Sequence, residues 1–482
     1  MVSKISRRAM LKLIVSAGAG AVLASCTPAS PSPQVVEVTK EVTKEVIKEV
    51  QVTTAPQATT PPEPTLTAAP QKVTGNVVVM HFRHEFTEDQ MKAFMDEHPG
   101  ITLEFVDGTD LTKFYAMYAA GSPPDLVRVQ APSIPQFLAR KLLYDLTPYF
   151  ETSSVLKMDD LMPANDLYKA ESPLKIGTGK IYGMVKDFSP DSTVYINKKI
   201  FEDAKIPALD DTKAMTMDEI TQYAKTATKK EGDRILIFGY GYETGWVDRF
   251  WMNHLAEKGL NLYSDGYDKI ILAGNEETVK VVKWYYDMAK EKLTYSAINP
   301  SPAGWMGTDF TAGQLAMCQY GFWFSAMAEG DNTKGLLAMM PAPTWAGQRR
   351  DGTITATGMI MTAATQVPDA AWLAFEYYNG GQPAIDRAKS GWGVPGLKSL
   401  LDLIPQQSEF QKQCNKVLRG ELALNTPPLQ FNPFLGETQV ATAYAKFLEQ
   451  SLKGQMTFEE MLTKIEEEVN AAIKDGISAI MG

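Results

Sequence analysis

Four tryptophans stand where strand patterns give way to loops: Trp246 in "GYGYETGWVDRFW", Trp305 in "SPAGWMGTD", Trp323 in "YGFW" and Trp392 in "SGWGVP". An indole offers area to the apolar C–H face of a sugar ring. Carboxylates, amides and arginines beside it can pair with the ring's hydroxyl rim. The competing use of such rings is core filling, and Trp251, Trp284 and Trp372, which fall on helical patterns, are assigned to it. A polar group, His81, Arg83, His84 and Glu85, closes the first strand pattern in "HFRHEF". Zinc chemistry there would need three or four ligands. The remaining histidines are His98 and His254, and neither HExxH nor CxxC occurs. Gln130, just past "DLVRV", is a further polar candidate, whereas Asp125 is assigned to its turn. The glycines of "GYGYETG" are spaced GxGxxxG, which is not the dinucleotide fingerprint.

The elements that must position these residues alternate. "NVVVMHF" reads as a strand, "TEDQMKAFMDEHPG" as an amphipathic helix stopped by Pro99–Gly100, and "ITLEFV" as the next strand. A helix over 111–120, the strand "DLVRV" and a helix over 133–140 follow, and the pattern recurs at 217–230 before "RILIFGY". Such β-α-β order predicts an α/β fold built on mainly parallel sheets with helices on both faces. Ligands of such sheets bind at the carboxyl ends of strands.

The first 72 residues are of another kind. Lys4, Arg7, Arg8 and Lys12 precede an apolar run, Leu13 to Ala24, about half the ~20 residues a membrane-crossing helix needs. That is the layout of an export signal. "LASC" closes it as bacterial lipoprotein signals close, which implies lipid on Cys26. "SRRAMLK" is similar to a twin-arginine motif, and the general export route fits the basic stub as well. From Thr27 to about Lys72 the chain is rich in Thr, Pro, Ser, Ala and Gln and carries "EVTKEVTKEVIKEV". As a helix that repeat would stack like charges four apart, Glu37 on Glu41 and Lys40 on Lys44. It reads as a solvated stalk. The formal charge of −10 becomes −14 once the four basic residues of the signal are removed. An acidic chain is a poor partner for nucleic acid. Beyond Cys26 there are two cysteines, Cys318 and Cys414, free or paired with each other; this is not a disulfide scaffold.

Six separated motifs resemble, in order, the extracellular solute-binding proteins of bacterial ABC importers, in their carbohydrate-binding, maltose-binding-protein-like branch. They are "AAGSPPDLVRVQAPSIPQFLARKLLYDLTPYF", "GKIYGMVKDFSPDSTVYINKKIFEDAKI", "FTAGQLAMCQYGFW", "GMIMTAATQVPDAAWLAFEYYNG", "GWGVPGLKSL" and "TFEEMLTKIEEEVNAAI". Met184–Val185 stand where the family usually has proline, and the loop from Lys186 to Asp191 is slightly long. The resemblance implies two α/β lobes of the periplasmic-binding-protein fold, joined by several hinge crossings, with the ligand in the cleft between them and closure on binding. The implied division is 1–25 export signal, 26–72 lipid-anchored stalk, 73–188 with 362–405 as N-terminal lobe, and 189–361 with 406–482 as C-terminal lobe. Ligand contacts implied are His81, Arg83, Glu85, Gln130, Asp191, Trp246, Trp305, Trp323, Gly358 and Trp392; Trp323 and Trp392 sit at matched binding loops.

The expected function is capture of a sugar or oligosaccharide and its delivery to the membrane subunits of an ABC permease. The protein would be a monomer without a cofactor, held by its lipid alone at the outer face of the cytoplasmic membrane. Two other classes stay open. A same-fold receptor could take polyamine, phosphate ester or ferric ion, although the adjacent tyrosines of "WYYDMAK" fall on a helix and point apart by about 100°. An exported glycoside hydrolase would need two carboxylates ~5–10 Å apart across a cleft, a pair that 57 acidic residues always make arguable.

Overall fold

The computed structural model describes residues 72–345 and 349–481. The export signal, Cys26 and the repeat-bearing stalk lie outside the described residues. In chain order the first strands are β1 (Gly75–His81), β2 (Ile101–Asp107), β3 (Leu126–Gln130), β4 (Lys169–Ser172), β5 (Lys175–Ile181) and β6 (Gly183–Phe188). Then come β7 (Val194–Asn197), β8 (Lys229–Glu231), β9 (Arg234–Tyr242), β10 (Leu315–Gln319), β11 (Leu337–Met340), β12 (Thr357–Met361) and β13 (Val394–Pro395).

The strands form a six-stranded sheet, β13-β6-β12-β3-β1-β2, a five-stranded sheet, β11-β7-β10-β9-β8, and the hairpin β4-β5. Each large sheet is the centre of one lobe. Residue choice explains the placement of β1 and β2. In β1, Val77, Val79 and Met80 are wholly buried, as a central strand covered on both faces requires. At the edge, β2 buries Ile101 and leaves Thr102 and Glu104 exposed. The helix Glu88–Glu97 starts at a capping box: Thr87 accepts from the Gln90 backbone N–H and Gln90 answers to the Thr87 N–H. Met91 and Phe94 are its buried residues. Ser408 and Gln411 start Glu409–Leu422 in the same way.

The mainly parallel sheet expected from the alternation is corrected by the pairing. Parallel ladders join β1 to β2, β1 to β3 and β9 to β10. In the first sheet β12, β6 and β13 pair antiparallel. The reason lies in the connections. A strand that follows a helical crossover enters parallel, whereas the chain returning from the other lobe enters β12 in the opposite sense. One boundary moves for the same reason. Residues 357–361, expected in the C-terminal lobe, pair residue by residue with β3, from Thr357 opposite Gln130 to Met361 opposite Leu126. The return crossing therefore ends before Thr357. Cys318 and Cys414 are both free and buried. Packing accounts for Trp251, wholly buried, and for Trp372, stacked on Tyr149 at 5.1 Å.

Candidate functional site: a tryptophan-walled cleft

The ends of the strands converge on a cavity of about 190 Å³. Glu85 follows β1, Arg128 and Gln130 end β3, and Asp187 to Ser189 carry the chain out of β6. Across from them stand Trp246 after β9 and Trp323 after β10, with Thr355 on the return crossing, Thr357 at the start of β12 and Trp392 just before β13. Trp392 is 39% exposed, the largest such fraction among the tryptophans. It is displayed by Gly391 at φ 74° and Gly393 at φ 99°, a left-handed geometry that other residues adopt at a cost. The rings of Trp392 and Trp323 meet at 5.8 Å between centroids and 45° between planes. Trp323 is fixed from behind: its backbone N–H donates to Ser189 Oγ at 3.0 Å, which seats the ring's loop on the first crossing.

The polar side of the cavity is a four-charge network. Arg128 donates to Glu85 through Nε at 2.7 Å and Nη2 at 3.0 Å, a two-bond grip. Lys186, almost wholly buried, lies 3.2 Å from Glu85 and also pairs with Asp187. The Arg128 guanidinium sits over the Phe82 ring at 4.9 Å. Burial alone would raise the Glu85 carboxyl, but Lys186 and Arg128 outweigh it and hold it at about 2. Two carboxylates and two cations thus balance, and the wall offers fixed donors and acceptors without net charge.

Five of the expected contacts share this cavity: Glu85, Gln130, Trp246, Trp323 and Trp392. The other five do not. His81 is wholly buried, 4.9 Å from the Tyr378 ring, with Nδ1 accepting from the Phe82 N–H; burial pushes its pKa well below the ordinary value. Arg83 is outside, paired with Glu88 at 2.9 Å and lying over Phe105. His81 is the last residue of β1 and is turned into the core, whereas Arg83 lies past the strand's end, where alternation no longer sets its direction. Asp191 is fully buried between the crossings, where Oδ2 accepts from the N–H groups of Ile354 and Thr355 and from Thr355 Oγ1. Trp305 lines a separate cavity of the second lobe. Gly358 is a packing position: a Cβ there would come within 2.3 Å of the Met184 carbonyl and 2.6 Å of the Tyr168 ring.

Arg128, Asp187, Ser189, Thr355 and Thr357 were missed. For Arg128 a signal existed, since it lies two residues before Gln130 and a strand turns both to one side. Asp187 and Thr357 come opposite each other only through the β6–β12 ladder, which joins residues far apart in sequence. Asp125, assigned to its turn, accepts from the Val78 N–H at 2.8 Å.

Residues 84–380 match the family model described as bacterial extracellular solute-binding protein. No curated protein matches the chain. Among solved structures, an ABC substrate-binding protein of Listeria monocytogenes in complex with cycloalternan is similar at 18% identity and a TM-score of 0.68, covering 83% of this chain and 99% of that one. The GacH receptor of Streptomyces glaucescens, solved unliganded and with acarbose, gives 16% identity and 0.63 over 84% and 99%. The sugar-binding protein MalE of Xanthomonas citri gives 14% and 0.65 over 84% and 99%. These likenesses establish the two-lobed periplasmic-binding-protein fold. With the family model spanning more than half its length, the chain belongs to the bacterial extracellular solute-binding protein family.

Proposed function

We propose that the protein is the substrate-binding component of an ABC importer, taking a sugar or oligosaccharide into the cleft and delivering it to a membrane permease as the lobes close. The observation that carries this reading is the cavity itself. Three tryptophans surround it, and its charged wall is internally balanced, which suits an uncharged ligand with apolar faces and many hydroxyls. The similar structures bind in the same direction: cycloalternan, acarbose and, in a Thermotoga lettingae protein, α-D-tagatose.

Binding is favoured over turnover by the state of the carboxylates. A glycosidase acid needs a raised pKa, whereas Glu85 is held at about 2 and Asp187 is paired with Lys186. The chain's first segment fits the same role. An export signal, lipid on Cys26 and a solvated stalk would hold a monomeric receptor at the outer face of the cytoplasmic membrane. Isothermal titration against a panel of mono- and oligosaccharides tests the reading. Micromolar or tighter binding of at least one sugar is expected; silence across the panel with tight binding of another solute class would overturn it.

A further inference from the structure

The second lobe holds a different cavity, about 270 Å³, next to the first. An aromatic wall links the two: Trp323 lies 4.8 Å from Tyr320, and Tyr320 lies 6.1 Å from Trp305, which lines the second space. The connection also runs along the chain, because Glu243 lines the second cavity and Trp246, three residues on, lines the first.

Their electrostatics differ. The first cavity pairs two acids with two bases. The second is lined by Glu243, with the rings of Tyr295, Trp305 and Tyr444, and by no lysine, arginine or histidine. Among the described residues no cation lies within ion-pair distance of Glu243; its side chain accepts from the Tyr320 hydroxyl at 3.4 Å. Burial pushes its carboxyl up, as expected for an acid without a counter-ion. Behind the wall Asp309, wholly buried, accepts from the Ala303 N–H and also has no cation partner among the described residues. Ser296, more than nine-tenths buried, lines the space with its hydroxyl unpartnered.

A half-enclosed carboxylate without a counter-ion is costly unless something positive arrives. Aromatic rings around it favour the same guest, since their faces attract an ammonium group. We infer that the second cavity binds a protonated amine carried by the ligand, with Glu243 as its counter-ion and Ser296 Oγ as an acceptor, while a neutral ring fills the first cavity. The preferred ligand is then an amino-bearing saccharide of at least two units. This rests on the sugar reading above and deepens it.

Titration calorimetry of the full chain, with maltose, cellobiose and the 2-amino-2-deoxy counterpart of each, tests it. The amino member of a pair is expected to bind about ten- to a hundred-fold tighter, the worth of one charge-assisted hydrogen bond. Glu243→Gln should erase that preference and leave the affinity for the neutral member within about two-fold, which also shows that the variant is folded. Equal or weaker binding of the amino member, or a preference that survives Glu243→Gln, overturns the inference while the sugar reading stands. Failure of all four sugars while another sugar of the panel binds overturns the inference and leaves the sugar reading standing; silence across the whole panel with tight binding of another solute class overturns both.

Discussion

Asp191 and Asp351, one on each of two crossings between the lobes, each hold the backbone of the other's segment. Asp191 Oδ2 accepts from Ile354 N–H at 2.9 Å and Thr355 N–H at 3.1 Å, while Asp351 Oδ1 accepts from Ser192 N–H at 2.8 Å. The two segments that must flex together on closure are thereby laced by reciprocal side-chain bonds. Asp191 also packs against Gly321, where an added Cβ would lie 2.4 Å from its Oδ1. The residue expected to touch ligand is instead built into the hinge.

That role has a pH signature. Burial raises Asp191 from 3.8 to about 6, against the opposing bonds from Ile354 and Thr355. A raised acid lends stability that is full below the unfolded value and is lost as pH rises through the folded one. Leaving Asp191 ionised above pH 6 therefore costs about 3 kcal/mol. Asp191→Asn keeps an acceptor for the crossing and does not titrate. Its Tm relative to the parent should rise between pH 4 and pH 7. A constant offset across that range would contradict the assignment.

Glu85 works in the other direction. Its pKa is lowered to about 2, so its contribution is present above the ordinary value of 4.5 and disappears as pH falls toward 2. Glu85→Ala strands Arg128 in the wall and leaves Lys186 with Asp187 alone, and loss of one partner from a buried ion pair costs about 3–5 kcal/mol. Urea denaturation at pH 7 should show a drop of that size, shrinking at pH 3. An unchanged midpoint would mean that the network is dispensable.

The tryptophans should separate from the packing residues by assay. Trp323→Ala and Trp392→Ala each remove a ring of the cavity and are expected to weaken sugar binding by about 2 kcal/mol, roughly thirty-fold in Kd. Trp392 is exposed enough that its removal should barely move Tm. Trp372→Ala, in the stack with Tyr149 and Phe375, should instead cost about 3–5 kcal/mol of stability. Calorimetry paired with thermal melts distinguishes the two patterns.

Gly358→Ala tests close packing under the cleft. The added methyl would collide with the Met184 carbonyl and with Tyr168, whose hydroxyl lies 3.0 Å from the Val129 carbonyl and 2.9 Å from that of Ala356. A loss of about 3 kcal/mol is expected, from overpacking with little room to relax. A neutral melt would show that β12 and β6 separate more easily than their contact implies.

Local order was legible in the sequence wherever one short stretch carried its own signal. "TEDQMKAFMDEHPG" marked a helix and its stop, the valines of "NVVVMHF" marked a strand, and the tryptophans after β9 and β10 marked the passage from strand to loop. What stayed hidden depended on pairing across lobes. Asp187 faces the cavity because β12 returns antiparallel beside β6, and Lys186 is buried beneath it because Glu85 arrives from β1. His81 and Asp191 looked like ligand contacts because both are polar and stand at strand ends. Only the three-dimensional partners reveal that one belongs to the core and the other to the hinge.

The most direct measurement is a crystal structure of the protein with the tightest-binding sugar of the panel. The expected result is a sugar ring laid on Trp323 and Trp392, its hydroxyls bonded to the Glu85–Arg128 and Asp187 groups, with the lobes closed over it. A sugar bound outside that cavity, or bound there without contact to either tryptophan, would contradict the account.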